Sequence, residues 1–100
     1  MSDLLAIVGP AGDDEALIEQ LVRRKPGRVT VLVEGEQAET ADWALDESEP
    51  GRALRDRLAR LLHEIETRTG AIVVGLAGNA DQLVGWRFDR IVRARVPVAA

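Results

Sequence analysis

Two glycine-bearing turns are the places where this chain could do chemistry, Gly9-Pro10-Ala11-Gly12 and Gly75-Leu76-Ala77-Gly78-Asn79. Each follows an apolar run and leads towards the start of a helix. Unpaired N–H groups and the helix dipole favour an anion there. Glycine lets a ligand approach closely, but it also serves tight turns that bind nothing. Neither turn runs on into Gly-Lys-[Ser/Thr], and G-x-G-x-x-G is absent. A polyphosphate would therefore lack the nearby cation of a P-loop.

Other chemistries find fewer residues. Cysteine is absent, which excludes disulfides, thiolate zinc sites and thiol catalysis. The serines, Ser2 and Ser48, fall at a terminus and in a loop. The single histidine, His63, falls on the polar face of a helix. No nucleophile–base pair can be assembled from them, so the expectation is a protein that is not an enzyme and needs no cofactor. Glu34, Glu36, Glu39, Asp42, Asp46, Glu47 and Glu49 run without a basic residue among them. They lack the ordered D-x-D-x-D-G pattern of a calcium loop, and read as a solvated acidic segment with no metal.

The elements that must position the two turns follow from apolar spacing. Leu4–Val8 is a near-continuous apolar run, the pattern of a strand buried on both faces. Asp13 and Asp14 offer a helix cap, and Leu17, Ile18, Leu21 and Val22 recur at helical spacing. Arg23, Arg24 and Lys25 suit a helix C-terminus, which Pro26-Gly27 ends. Arg28–Glu34 is a second strand rich in β-branched residues. Between 34 and 50 a short helix over Ala38–Leu45 and a surface loop remain equal alternatives. Ser48 or Glu49-Pro50 then opens a long helix over Gly51–Thr69, whose Leu54, Leu58, Leu61, Leu62 and Ile65 share one arc. Gly70 stops it. Ala71–Val74 is a third strand, Leu83, Val84, Phe88, Ile91 and Val92 mark a last helix, and Arg95-Val96-Pro97-Val98 a final short strand.

Strands alternating with helices predict one α/β domain over residues 1–100, an open parallel sheet of about four strands with helices on both faces. The expected strand order is 2-1-3-4. Its reversal would lie between the strands ending at Val8 and Val74, and ligands in such sheets bind outside the carboxyl ends at a reversal. Both glycine turns would face that crevice.

Charge and composition narrow the partners. The net charge of −4 argues against a protein that coats nucleic acid. No apolar run nears the roughly 20 residues of a membrane span, and MSDLLAIVG lacks the basic start of a signal peptide. The cytoplasm is the expected location. Arg87, Arg90, Arg93 and Arg95 cluster near the C-terminus, as a solvated face or as a site for acidic groups, this chain's own included. Trp86 falls opposite the apolar arc of the last helix, near Asp89 and Arg93. Tryptophan and arginine are enriched at binding hot spots, which makes Trp86 a candidate anchor for a protein partner.

The segment Val73-Val74-Gly75-x-x-Gly78, a further glycine, an apolar helix and Ile91-Val92-Arg93-Ala94-Arg95-Val96-Pro97-Val98 resemble the C-terminal third of universal stress proteins. Leu4-Leu5-Ala6-Ile7-Val8-Gly9 and Val29-Thr30-Val31-Leu32-Val33 resemble that family's N-terminal half. Residues 35–50 are unmatched where the family normally adds a helix and a strand, so the chain resembles a shortened, divergent member. The resemblance implies a Rossmann-like fold, a regulatory role in stress response and homodimers paired through the last strand, Val96–Ala100. Trp86, Val96, Pro97 and Val98 would then form the interface.

Nucleotide-binding members carry G-x2-G-x9-G-[Ser/Thr] and an Asp ending the first strand. Gly75 and Gly78 match the first two glycines. Gly85 can stand for the third, with only six residues between it and Gly78. Trp86 takes the hydroxyl position, and Gly9 the place of the Asp. These departures imply a degenerate site without ordinary ATP binding. The alternative is a small nucleotide- or anion-binding domain using Gly9, Pro10, Gly12, Gly75, Gly78, Asn79 and Gly85.

Overall fold

The computed structural model describes residues 2–9, 14–34, 45, 47–78, 80–83 and 85–93. They form β1 (Asp3–Val8), α1 (Asp14–Arg24), β2 (Arg28–Val33), α2 (Glu49–Thr69), β3 (Ile72–Ala77), a 3-10 turn (Ala80–Leu83) and β4 (Arg90–Arg93). All strand pairs are parallel, and the sheet order is β3-β2-β1-β4. The α/β class and the small open parallel sheet are those expected.

The two central strands are buried along nearly their whole length, as their unbroken apolar composition requires. One face carries Leu4, Ala6, Val8, Val29, Val31 and Val33. These pack with Leu17, Ile18 and Leu21 of α1 and with Leu58, Leu61 and Ile65 of α2. The other face carries Leu5, Ile7 and Leu32, covered by Leu83 with Leu76 and Phe88 against them.

Local signals set the helix ends. Ser48 caps α2, its Oγ accepting from the Gly51 N–H at 3.3 Å, with Pro50 in the first turn. Gly70 closes the helix in a left-handed conformation, its N–H donating to the Glu66 carbonyl at 2.9 Å. His63 is exposed on the polar side.

The strand order differs from the expected 2-1-3-4, for a physical reason. Both right-handed crossovers run the same way, which places α1 and α2 on one face, where each buries part of its apolar arc against the other. Asp14 and Arg57 pin that contact. Nε and Nη2 of Arg57 donate to the two Asp14 carboxylate oxygens at 3.1 and 2.7 Å, and both side chains are largely buried. A second pair, Arg68–Glu15 at 3.0 Å, is more exposed. Both described helices therefore lie on the same face. The return from β3 to β4 crosses the other face and brings only the 3-10 turn and its flanks.

The last helix expected from Leu83, Val84, Phe88, Ile91 and Val92 is not formed. Leu83 ends the 3-10 turn, and the chain reverses at Gly85, where φ is +93° and the Trp86 N–H donates to the Leu83 carbonyl at 3.0 Å. It then runs irregularly to β4. Trp86, Phe88, Ile91 and Val92 are aromatic or β-branched, and a strand accommodates them better than a helix does. Asp3 and Asp89 clasp β4 to β1. The Asp3 N–H donates to the Asp89 Oδ2 at 2.7 Å, and the Asp89 N–H donates to the Asp3 carbonyl at 2.8 Å. Val84 and the alternatives for Ala38–Leu45, apart from Leu45 itself, lie outside the described residues.

The Asp14–Arg57 bond is expected to carry measurable stability because it is bidentate and largely withdrawn from water. A double-mutant cycle of Asp14→Ala and Arg57→Ala in urea should return a coupling of about 1 kcal/mol or more. Strictly additive single effects would show that the pair contributes nothing beyond its packing.

Candidate functional site

The reversal in this sheet lies between β1 and β4, because β2 and β3 both stand on the other side of β1. The ligand crevice of an open α/β sheet would open beyond the carboxyl ends of those two strands, at Val8-Gly9 and at Arg93. Gly9 is half-buried there, with nothing within 4 Å of where a Cβ would sit. Arg93 pairs with Glu34 across the same end of the sheet at 3.7 Å. Glu34 follows β2, and its N–H donates to the Val8 carbonyl at 2.8 Å. Among the described residues, the charged groups placed at the reversal are thus Arg93 and Glu34. This pairing is also the contact between the C-terminal arginines and the acidic segment that the charge pattern allowed.

The second glycine turn lies elsewhere. β2 separates β1 from β3, so Gly75 and Gly78 do not face Gly9 across one crevice. Gly75 is not in a turn at all. Expected to break the strand after Val74, it sits inside β3, which runs on to Ala77. A Cβ added to it would come within 2.8 Å of Cδ1 of Leu62 and 3.1 Å of Cδ1 of Leu58. The glycine lets α2 settle closely onto the outer strand. Gly78 is buried, and its N–H donates to the Val33 carbonyl at 3.0 Å. That amide extends the β2–β3 ladder and is not free for an anion. Gly85 is exposed and makes the turn before Trp86. Pro10, Gly12 and Asn79 lie outside the described residues, as do Val96, Pro97 and Val98.

Trp86 does not project from a helix, since none forms there. It follows the Gly85 turn, is 52% exposed, and tilts against Phe88 with ring centroids 6.3 Å apart. Asp14, at the start of α1, is occupied by Arg57, and Asp13 lies outside the described residues. Two clefts lie away from this reversal. One of about 340 Å³ lies between α1 and α2, lined by Asp14, Ile18, Arg57, Arg60, Leu61 and Glu64 among others. Another of about 480 Å³ lies at the opposite end of the sheet, lined by Ser2, Leu4, Arg23, Arg24, Asp89 and Arg90. Neither includes a glycine of the expected site. Among the described residues no group of three or more His, Cys, Asp or Glu could hold a metal. No described helix is long and apolar enough to cross a membrane.

Arg93 and Glu34 were not singled out from the sequence as site residues. A signal for the strand that carries Arg93 was present. Trp86 and Phe88 stand two apart and lead to the β-branched pair Ile91-Val92, a spacing that suits extended chain as well as helix. The chain matches no protein-family model, no curated protein and no solved structure. Function is therefore argued from these residues.

If Gly75 serves packing, a larger residue must displace Leu62. Gly75→Val should lower stability by about 1–3 kcal/mol, read as the urea midpoint. Leu62→Ala should cost less in that background than in the unaltered protein, because it vacates the contested space. An equal cost in both backgrounds would remove the packing explanation.

Proposed function

We propose that this domain is a non-catalytic regulatory or interaction module of universal-stress-protein-like type, which works as a homodimer and without ordinary ATP binding. The observation that carries the proposal is the uneven cover of the sheet. Among the described residues, its second face is roofed over the central strands by Leu83 and Phe88. The two outer strands leave Ile72 at 66% and Ile91 at 58% exposure, and Trp86, on the approach to β4, is 52% exposed. An exposed tryptophan packed against Phe88 on the approach to an outer strand suits an anchor for another protein, because tryptophan is enriched at binding hot spots. The loss of a nucleotide site is supported by the glycines themselves, one packed under Leu62 and one with its amide committed to Val33.

Two measurements test it. Light scattering at high concentration should return twice the mass of the 10.9 kDa chain; a monomer would remove the dimer. Calorimetric titration with Mg-ATP should give no saturable heat. Saturable micromolar binding would replace this proposal with a nucleotide-binding domain.

A further inference from the structure

We infer that two copies of this chain join through β3, edge to edge and antiparallel, into one continuous sheet. The inference rests on the homodimeric function proposed above and places its interface on β3, in place of the last strand, Val96–Ala100, that the family resemblance implies.

β3 is an outer strand of the sheet. The Ile72 N–H donates to the Gly27 carbonyl at 3.1 Å and the Gly78 N–H to the Val33 carbonyl at 3.0 Å. The even-numbered residues therefore direct their backbone groups to β2. By the alternation of a strand, Val73, Gly75 and Ala77 direct theirs away from the sheet. Among the described residues β3 makes its substantial contacts with β2 and α2 alone, so nothing described pairs with that outer row. A row of unpaired N–H and C=O groups is a template for another strand. Natural edges are usually blunted by charge or proline, and Ala71–Gly78 contains neither.

The same comparison explains why the partner is a second copy and why β3 is the edge used. The other outer strand, β4, begins and ends with arginine. Paired with itself in antiparallel fashion about Ile91-Val92, it would set Arg90 opposite Arg93 of the other copy, and like charges directly opposite are destabilising. β3 faces itself without conflict. With Gly75 on the two-fold axis, Val73 lies opposite Ala77 of the second copy and Gly75 opposite its own equivalent, each pair exchanging both backbone bonds. Val74 then lies opposite Leu76 in the closer, non-hydrogen-bonded positions. Both are half-buried apolar residues on the thinly covered face. The contact is isologous, so it closes at two copies.

Sedimentation velocity across a dilution series tests the geometry with two variants. Ala77→Pro removes an outward N–H while leaving the β2 ladder intact, and Val74→Lys places a charge opposite Leu76. Each should weaken dimerisation about tenfold or more with circular dichroism unchanged, whereas Arg93→Ala should not weaken it. Should a variant fail to fold, hydrogen exchange of the unaltered protein supplies the answer. The Val73, Gly75 and Ala77 amides should be protected in the dimer and lose protection on dilution. A dimer unaffected by either folded variant, or outward amides that exchange freely in the dimer, would overturn the β3 interface and leave the homodimer standing. A monomer for the unaltered protein at high concentration would overturn both.

Discussion

The packing of α1 and α2 as one layer on one face of the sheet is the constraint from which the rest of the structure follows. Both helices bury their apolar arcs against the same face of the sheet, and they touch each other along it. Asp14 and Arg57 close that seam with a bidentate, largely buried bond. Once both helices share a face, right-handed crossovers carry the chain from β1 to β2 to β3 in one direction. β4 is then left the free side of β1, and the reversal moves to the β1–β4 junction.

Gly75 belongs to the same constraint. α2 must lie low over the outer strand for Leu58, Leu61 and Ile65 to reach the core, and the missing Cβ makes room for Leu62. A residue that looked like part of a ligand cradle is better explained by helix-on-sheet packing. Gly78 fares similarly, because its amide completes the ladder from β3 to the end of β2. That amide is spent on holding the sheet together.

The cost of placing both helices on one side is the other side. Among the described residues, a four-residue 3-10 turn and an irregular stretch are what lies over it. Leu83 and Phe88 cover Leu5, Ile7 and Leu32, and the outer strands remain partly bare. The uneven cover, the uncharged β3 edge and the arginines flanking β4 are thus consequences of one topology.

Much of this was legible in the residues alone. The apolar runs of β1 and β2, the arcs of α1 and α2, the Ser48-Glu49-Pro50 start and the Gly70 stop are local signals, and each determined its element without help from the rest of the chain. Strand order was not local. It depends on which face α2 chooses, and that choice turns on contacts across 43 residues between Asp14 and Arg57. The segment after Gly78 was ambiguous for a related reason: Leu83, Val84, Phe88, Ile91 and Val92 fit a helical arc, while Trp86, Phe88 and Ile91-Val92 fit an extended chain equally well. The clasp between Asp3 and Asp89 and the open side of β1 decided for the strand. The glycine-bearing stretch from Gly75 to Gly78 shows the division most clearly. Sequence determined that small residues were needed there, and only the tertiary structure decided that the space they leave is filled by Leu62 and the ladder, because a missing side chain looks the same whether a ligand or a helix takes its place.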